Sequence, residues 1–257
     1  MARSTPTRPK VSGGSALVLA LLLPLAGCGS GDDESSSQGE LTVLAASSLT
    51  DVYEELATSF EEQSDVDVTF SFGSSTDLAE QAADGAPGDV LSTADSTSMQ
   101  TAEDADVTGE VVDFATNVMV IVTPAGNPAG IQSLDDLEGA TWVRCADEVP
   151  CGRVAQGVLE DNDITAEPAS LEEDVRSTLD KVISGEADAG LVYASDAVAA
   201  GDGVETIEIP GAEEQLTTYY TTTLEQSEDA EMAQKWTDLV TSEEGGAALT
   251  EAGFTLP

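Results

Sequence analysis

Histidine is absent from all 257 residues. That removes Ser-His-Asp triads, imidazole acid–base catalysis and every histidine-containing metal site at once. No "GxSxG" elbow offers a nucleophile either. Basic residues are scarce: eight Lys plus Arg stand against 50 Asp plus Glu, a formal net charge of −42. Nucleic acid is an implausible partner at that balance. Beyond the first thirty residues no apolar stretch approaches membrane-spanning length.

The beginning of the chain, "MARSTPTRPKVSGGSALVLALLLPLAGCGS", joins a basic start (Arg3, Arg8, Lys10) to an apolar run from Ala16 to Leu25. That pattern is an export signal, too short for a stable span. Its end, "LAGC", resembles the lipobox of bacterial lipoproteins. The resemblance implies removal of residues 1–27, a diacylglyceryl group on Cys28, and anchorage to the outer face of the cell membrane. An ordinary signal with an incidental cysteine is the alternative. Residues 28–40, with "GSGDDESSSQGE", read as a flexible polar tether. Loss of the three basic residues leaves five against 50 acids, a net charge of −45. The acids fall mostly on predicted helix faces, where solvent receives them. Salt screens such charges beyond about 8 Å, so a neutral cleft still accepts an anion. Cys145 and Cys151 remain in an oxidising compartment, where a disulfide is expected.

Apolar strand-like runs alternate with helical periods along the rest, which predicts an α/β architecture. Strands are expected at 41–46, 66–72, 89–93, 117–124, 140–144, 204–210 and 216–225, with a further one leading to Tyr193. Helices are expected over 49–63, 75–85, 150–162, 171–187, 228–242 and 243–253, with a short one at 133–139. Two successive α/β blocks and a terminal segment that returns to the first predict two lobes, 41–118 with 219–257 and 119–218, around a cleft.

Small hydroxyls and helix starts recur at strand ends. "AASSLTD" delivers Ser47 and Ser48 to a helix start, and "FGSSTDL" repeats the arrangement with Ser75. Simple N-capping accounts for either alone. Together they offer amides and helix dipoles to an anion. "DEVPCGRVA" adds a helix start at Cys151, "SLEEDVRSTL" another near Val175, and "AGLVYASDAV" ends a strand on Tyr193, a core residue or a donor.

In order and approximate spacing, "VLAASSLTD", "SFGSSTDLAEQAADGAPGDVLSTAD", "DEVPCG", "EEDVRSTL" and "GLVYASDAV" resemble the molybdate-binding proteins of ABC importers, and "EEGGAALTEAGFTLP" looks like that family's ending. The resemblance spans nearly all of Leu41 to Pro257. It implies a two-lobed periplasmic-binding-protein-like fold of type II with the ligand between the lobes. It implies an oxyanion, molybdate or tungstate, held by the hydroxyls and amides of Ser48 and Ser75, the amides of Cys151 and Val175, and the hydroxyl of Tyr193. It also implies an ABC permease as partner, a monomer, and no cofactor or catalytic residue. Arg153 and Arg176 are expected to pair with carboxylates rather than ligate. Other readings are a receptor for sulfate or for a metal ion, for which Tyr219 and Tyr220 are a poor pair because strand neighbours point to opposite faces. An exported serine hydrolase using Ser48 or Ser75 lacks a base, since Lys181 and Lys235 lie on helices away from the serine loops.

Overall fold

The computed structural model describes residues 39–257. The predicted signal of 1–27, the lipidation at Cys28 and nearly all of the tether lie outside the described residues. Among those described, no helix is long and apolar enough to cross a membrane.

Two five-stranded mixed sheets organise the chain. The first begins with β1 (Gly39–Ala46), β2 (Val66–Gly73), β3 (Val90–Thr93) and β4 (Val112–Asn117). The second holds β5 (Met119–Pro124), β6 (Trp142–Cys145), β7 (Ser170–Glu172), β8 (Ala189–Tyr193) and β9 (Val204–Glu208), in the order β7-β6-β8-β5-β9. β10 (Thr217–Thr223) then returns to the first sheet and gives it the order β2-β1-β3-β10-β4. β1 runs parallel to β2 and β3, and β6 runs parallel to β7 and β8; β10 and β5 are antiparallel to their neighbours.

The helices follow from capping and burial. α1 (Thr50–Ser64) buries Val52, Leu56 and Phe60 at helical spacing. α2 (Ser75–Ala83) stops before Gly85, whose φ of 80° belongs to the left-handed region that glycine enters freely. α3 (Ser96–Asp104) is capped by the Asp95 carboxylate, which accepts the Ser98 N–H at 2.8 Å. α4 (Pro150–Asp161) starts on proline, which needs no acceptor there. α5 (Val175–Ile183), α6 (Ala194–Ala200), α7 (Ala230–Val240) and α8 (Glu243–Glu251) complete the set.

Each face of the first sheet is covered. Trp236 of α7 stands edge-on to Tyr53 and Phe60 of α1, at centroid distances of 5.3 and 5.4 Å, in one apolar cluster. Leu78 of α2 and Met99 of α3 pack on the other face. A separate core built on Ile121, Trp142 and Leu191 belongs to the second sheet.

Three expectations need correction. Residues 171–187 do not form one helix: β7 occupies the beginning, and Asp174 caps α5 by accepting the Ser177 N–H at 2.8 Å. The predicted helix over 133–139 is only a 3-10 turn at Leu134–Leu137. Neither α3 nor β4 is expected from the sequence, because few apolar residues mark them; Ser98, Met99 and Ala102 are the buried positions of α3.

Candidate functional site

Parallel pairing decides where the turns emerge. In the first sheet Ala46 of β1 lies opposite Gly73 of β2, so both strands release their serine turns side by side. In the second, Cys145 of β6 lies opposite Glu172 of β7, which sets the starts of α4 and α5 next to each other. All of these are carboxyl ends of strands, where open α/β sheets bind ligands.

Ser48, Ser75, Cys151, Val175 and Tyr193, the five residues singled out from the sequence, line one small cavity of about 10 Å³. Neither Arg153 nor Arg176 does. Ser75 and Val175 are the first residues of α2 and α5, and Cys151 is the second of α4. Amides in a first helical turn have no intrahelical acceptor, and the dipole's positive end lies there. First-turn amides of three helices therefore border the cavity, and Asp174, its only acidic side chain among the described residues, is turned to its own helix cap.

The hydroxyls of Ser75 and Tyr193 are free to donate. Ser75 Oγ accepts the Ala94 N–H at 2.9 Å, which leaves its proton free. Ser48 Oγ lies 2.8 Å from the Tyr219 hydroxyl. Tyr193 is buried, and its hydroxyl, like that of Ser74, has no hydrogen-bond partner among the described residues. A buried hydroxyl without a partner costs about 1–3 kcal/mol. Burial, then the neighbouring Tyr219, pushes the Tyr193 phenol well above its ordinary pKa, so it remains a donor. Among the described residues neither serine hydroxyl is bonded to a carboxylate or an amine.

Two arginines bridge the rims. Arg153 of α4 bonds Asp95 through Nε at 2.8 Å and Nη2 at 2.5 Å, and it also reaches the Glu148 carbonyl. Arg176 of α5 pairs with Asp51 of α1 and, at 3.1 Å, with Asp196. Asp196 accepts the Tyr193 N–H at 3.1 Å. Burial pushes its carboxyl up to about 7, with Arg176 and that N–H pulling the other way. The expected pairing of both arginines with carboxylates is met, but Asp95 and Asp51 lie across the cleft from them.

Cys145 and Cys151 form a disulfide with a Cα–Cα distance of 5.7 Å. Gly152 follows it because a Cβ there would come within 1.7 Å of the Ala146 carbonyl oxygen. A ring this small stabilises by about 2 kcal/mol. Replacing both cysteines with serine should lower the melting temperature by about 4–8 °C for a chain of this size. Calorimetry that finds no change would show that the ring contributes nothing.

Sequence reasoning did not assign Tyr219, which bonds Ser48, or Asp95, which bonds Arg153, to the surroundings of the site. Tyr219 and Ser48 are 171 residues apart, and no local pattern announces their contact.

Residues 41–255 match the family model described as bacterial extracellular solute-binding protein. The chain is 36% identical over 252 residues to the molybdate-binding protein ModA of Mycobacterium tuberculosis, covering 94% of this chain and 97% of that one. Its fold matches the periplasmic molybdate-binding protein of Azotobacter vinelandii with a TM-score of 0.76, at 20% identity, over 84% of this chain and 99% of that one. It also matches the sulfate-binding protein SubI of Mycobacterium tuberculosis with a TM-score of 0.73, at 18% identity, over 84% and 86%.

Proposed function

The chain belongs to the bacterial extracellular solute-binding proteins, and from that premise we propose that it is an extracytoplasmic receptor that binds molybdate and delivers it to an ABC permease. The observation that supports this reading is chemical: residues from five separated chain segments that carry neutral donors, and no cationic side chain, line one small cavity. Ser48 and Ser75 contribute hydroxyl and amide, Cys151 and Val175 their amides, and Tyr193 its phenol. Lobes of 41–118 with 219–257 and of 119–218 close on the ion from both sides, because contacts made by both favour the closed form.

Hydrogen bonds to a charged acceptor are worth about 1.5–3 kcal/mol each, so about seven supply roughly 10–20 kcal/mol gross. Dehydrating the dianion and ordering the lobes consume part of that. A ring of donors rejects protonated anions, since an O–H facing an N–H is an unpaired clash. Phosphate, largely protonated at neutral pH, is disfavoured, and cavity size separates sulfate from the larger molybdate and tungstate. The ion leaves unchanged, so no catalysis is assigned. Removal of residues 1–27 and lipid on Cys28 hold the monomeric receptor at the outer face of the membrane through the tether of 28–40.

Thermal shift tests the reading. Molybdate at 100 times its Kd should add about 2.7 kcal/mol, or about 5–10 °C in melting temperature. Tungstate should do the same, and phosphate should do little. A rise with sulfate alone moves the assignment to a sulfate receptor, and a rise with ferric ion alone to a metal receptor.

A further inference from the structure

We propose that the Ser74 hydroxyl is a further direct contact to the bound oxyanion, a donor in addition to those of Ser48, Ser75, Cys151, Val175 and Tyr193. The proposal rests on the oxyanion reading and adds one ligating side chain to it.

Ser74 holds the N-cap position of α2: its carbonyl accepts the Leu78 N–H at 3.0 Å, and its backbone is extended, with φ −64° and ψ 129°. A serine at that position ordinarily accepts an N–H from the first turn of its own helix. Among the described residues, the other serine and aspartate caps of α-helices do so. Asp95, Asp174, Asp229 and Ser242 accept from the amides of Ser98, Ser177, Met232 and Gly245 at 2.8, 2.8, 3.1 and 3.1 Å. Ser74 makes no such bond. It lines the cavity instead, in a residue only 6% exposed. Two buried side-chain hydroxyls lack a hydrogen-bond partner among the described residues, those of Ser74 and Tyr193, and both residues border this cavity. A buried hydroxyl that forgoes its cap and finds nothing else is unfavourable until a ligand supplies the acceptor.

The register and the chemistry agree with an anion as that ligand. Gly73 ends β2 opposite Ala46 of β1, so the Ser74 turn leaves the sheet beside the turn that carries Ser48. Ser74 also stands at the positive end of the α2 dipole, which disfavours a cation. An anionic oxygen accepts about two hydrogen bonds, so the oxygens of a tetrahedral ion accept about eight, and the other five residues offer about seven. The Ser74 proton makes up the difference.

Isothermal titration of the full-length chain in detergent with molybdate, well below the melting temperature, compares Ser74→Ala with the unsubstituted protein. Affinity should fall about 10- to 150-fold, as expected for one hydrogen bond to a charged acceptor. The ligand-free melting temperature should hold or rise, because alanine removes an unpartnered polar group and breaks no cap. Unchanged affinity overturns the proposal, and an earlier melt beside it would make Ser74 a helix cap alone. Lost affinity together with an earlier melt overturns it as well, since a disturbed start of α2 would lower both. If Ser74→Ala fails to fold, Ser74→Gly carries the same test, because glycine is tolerated at an N-cap. Ser75→Ala keeps the two readings apart: weakened binding there with full binding in Ser74→Ala removes Ser74 alone, whereas an unsubstituted chain that binds no oxyanion removes the receptor reading and this contact with it.

Discussion

Val175→Pro is expected to weaken molybdate binding by about 10- to 150-fold, the equivalent of one hydrogen bond to a charged acceptor, while the ligand-free protein keeps its fold. The substitution is selective because of where the residue sits. Val175 is the first residue of α5, a position that favours proline, whose fixed φ suits a helix start and whose missing N–H deprives the helix of nothing. The preceding Asp174 has φ −153° and ψ 176°, the extended conformation that a residue before proline prefers. Asp174 keeps its cap to the Ser177 N–H. Only the Val175 N–H disappears. Val175→Ala retains that amide and should bind nearly as well as the unsubstituted protein, so calorimetric titration of the two variants separates backbone recognition from side-chain packing. Equal affinity in both would remove Val175 from the set of donors.

Arg153→Ala should lower molybdate affinity by about 5- to 30-fold at low salt, and the deficit should shrink as salt rises. Arg153 forks onto Asp95 at 2.5 and 2.8 Å from the opposite side of the cleft. The side chains of the pair are 30% and 16% exposed, so solvent screens part of the attraction. We therefore take about 1–2 kcal/mol, less than a fully buried forked pair would give. These bonds exist only while the two sides are together, so their loss should appear as faster release of the ion. The acidity makes the clasp more useful: with a net charge of −42, the opposed surfaces repel one another unless a cation lies between them. Stopped-flow dissociation rates across a salt series would check this, and an unchanged off-rate would show that the clasp is ornamental. Arg176 spans the opposite rim, but its removal would also strand the buried Asp196, so a loss there mixes closure with stability.

The α/β alternation and the five cavity residues were legible because each depends on local chemistry. A strand followed by small hydroxyls and a helix start makes an anion-facing turn whatever the rest of the chain does, and Ser48, Ser75, Cys151, Val175 and Tyr193 do line one cavity. Contacts closed by tertiary packing were not legible. Arg153 and Asp95 are 58 residues apart, Arg176 and Asp51 are 125 apart, and each sequence position is compatible with many carboxylate partners in so acidic a chain. The error at 171–187 has a similar origin. "SLEED" carries helix-favouring residues, but pairing of Ser170, Leu171 and Glu172 with Val143, Arg144 and Cys145 overrides that preference and moves the helix start to Val175. Had α5 begun at Leu171, the Val175 amide would have been spent on an intrahelical bond.

One connection between the sheets has a further consequence. Val118 alone separates β4 from β5, and the chain passes back only once more, between β9 and β10. Any swing of one sheet against the other must pivot about these two crossings. Asn117 sits at the first pivot, bonded to the adjoining Val118 and to Ser195 of α6. Parting the two sheets would have to break the 2.8 Å bond from Asn117 to Ser195, so the first crossing acts as a catch that must yield before the jaws swing.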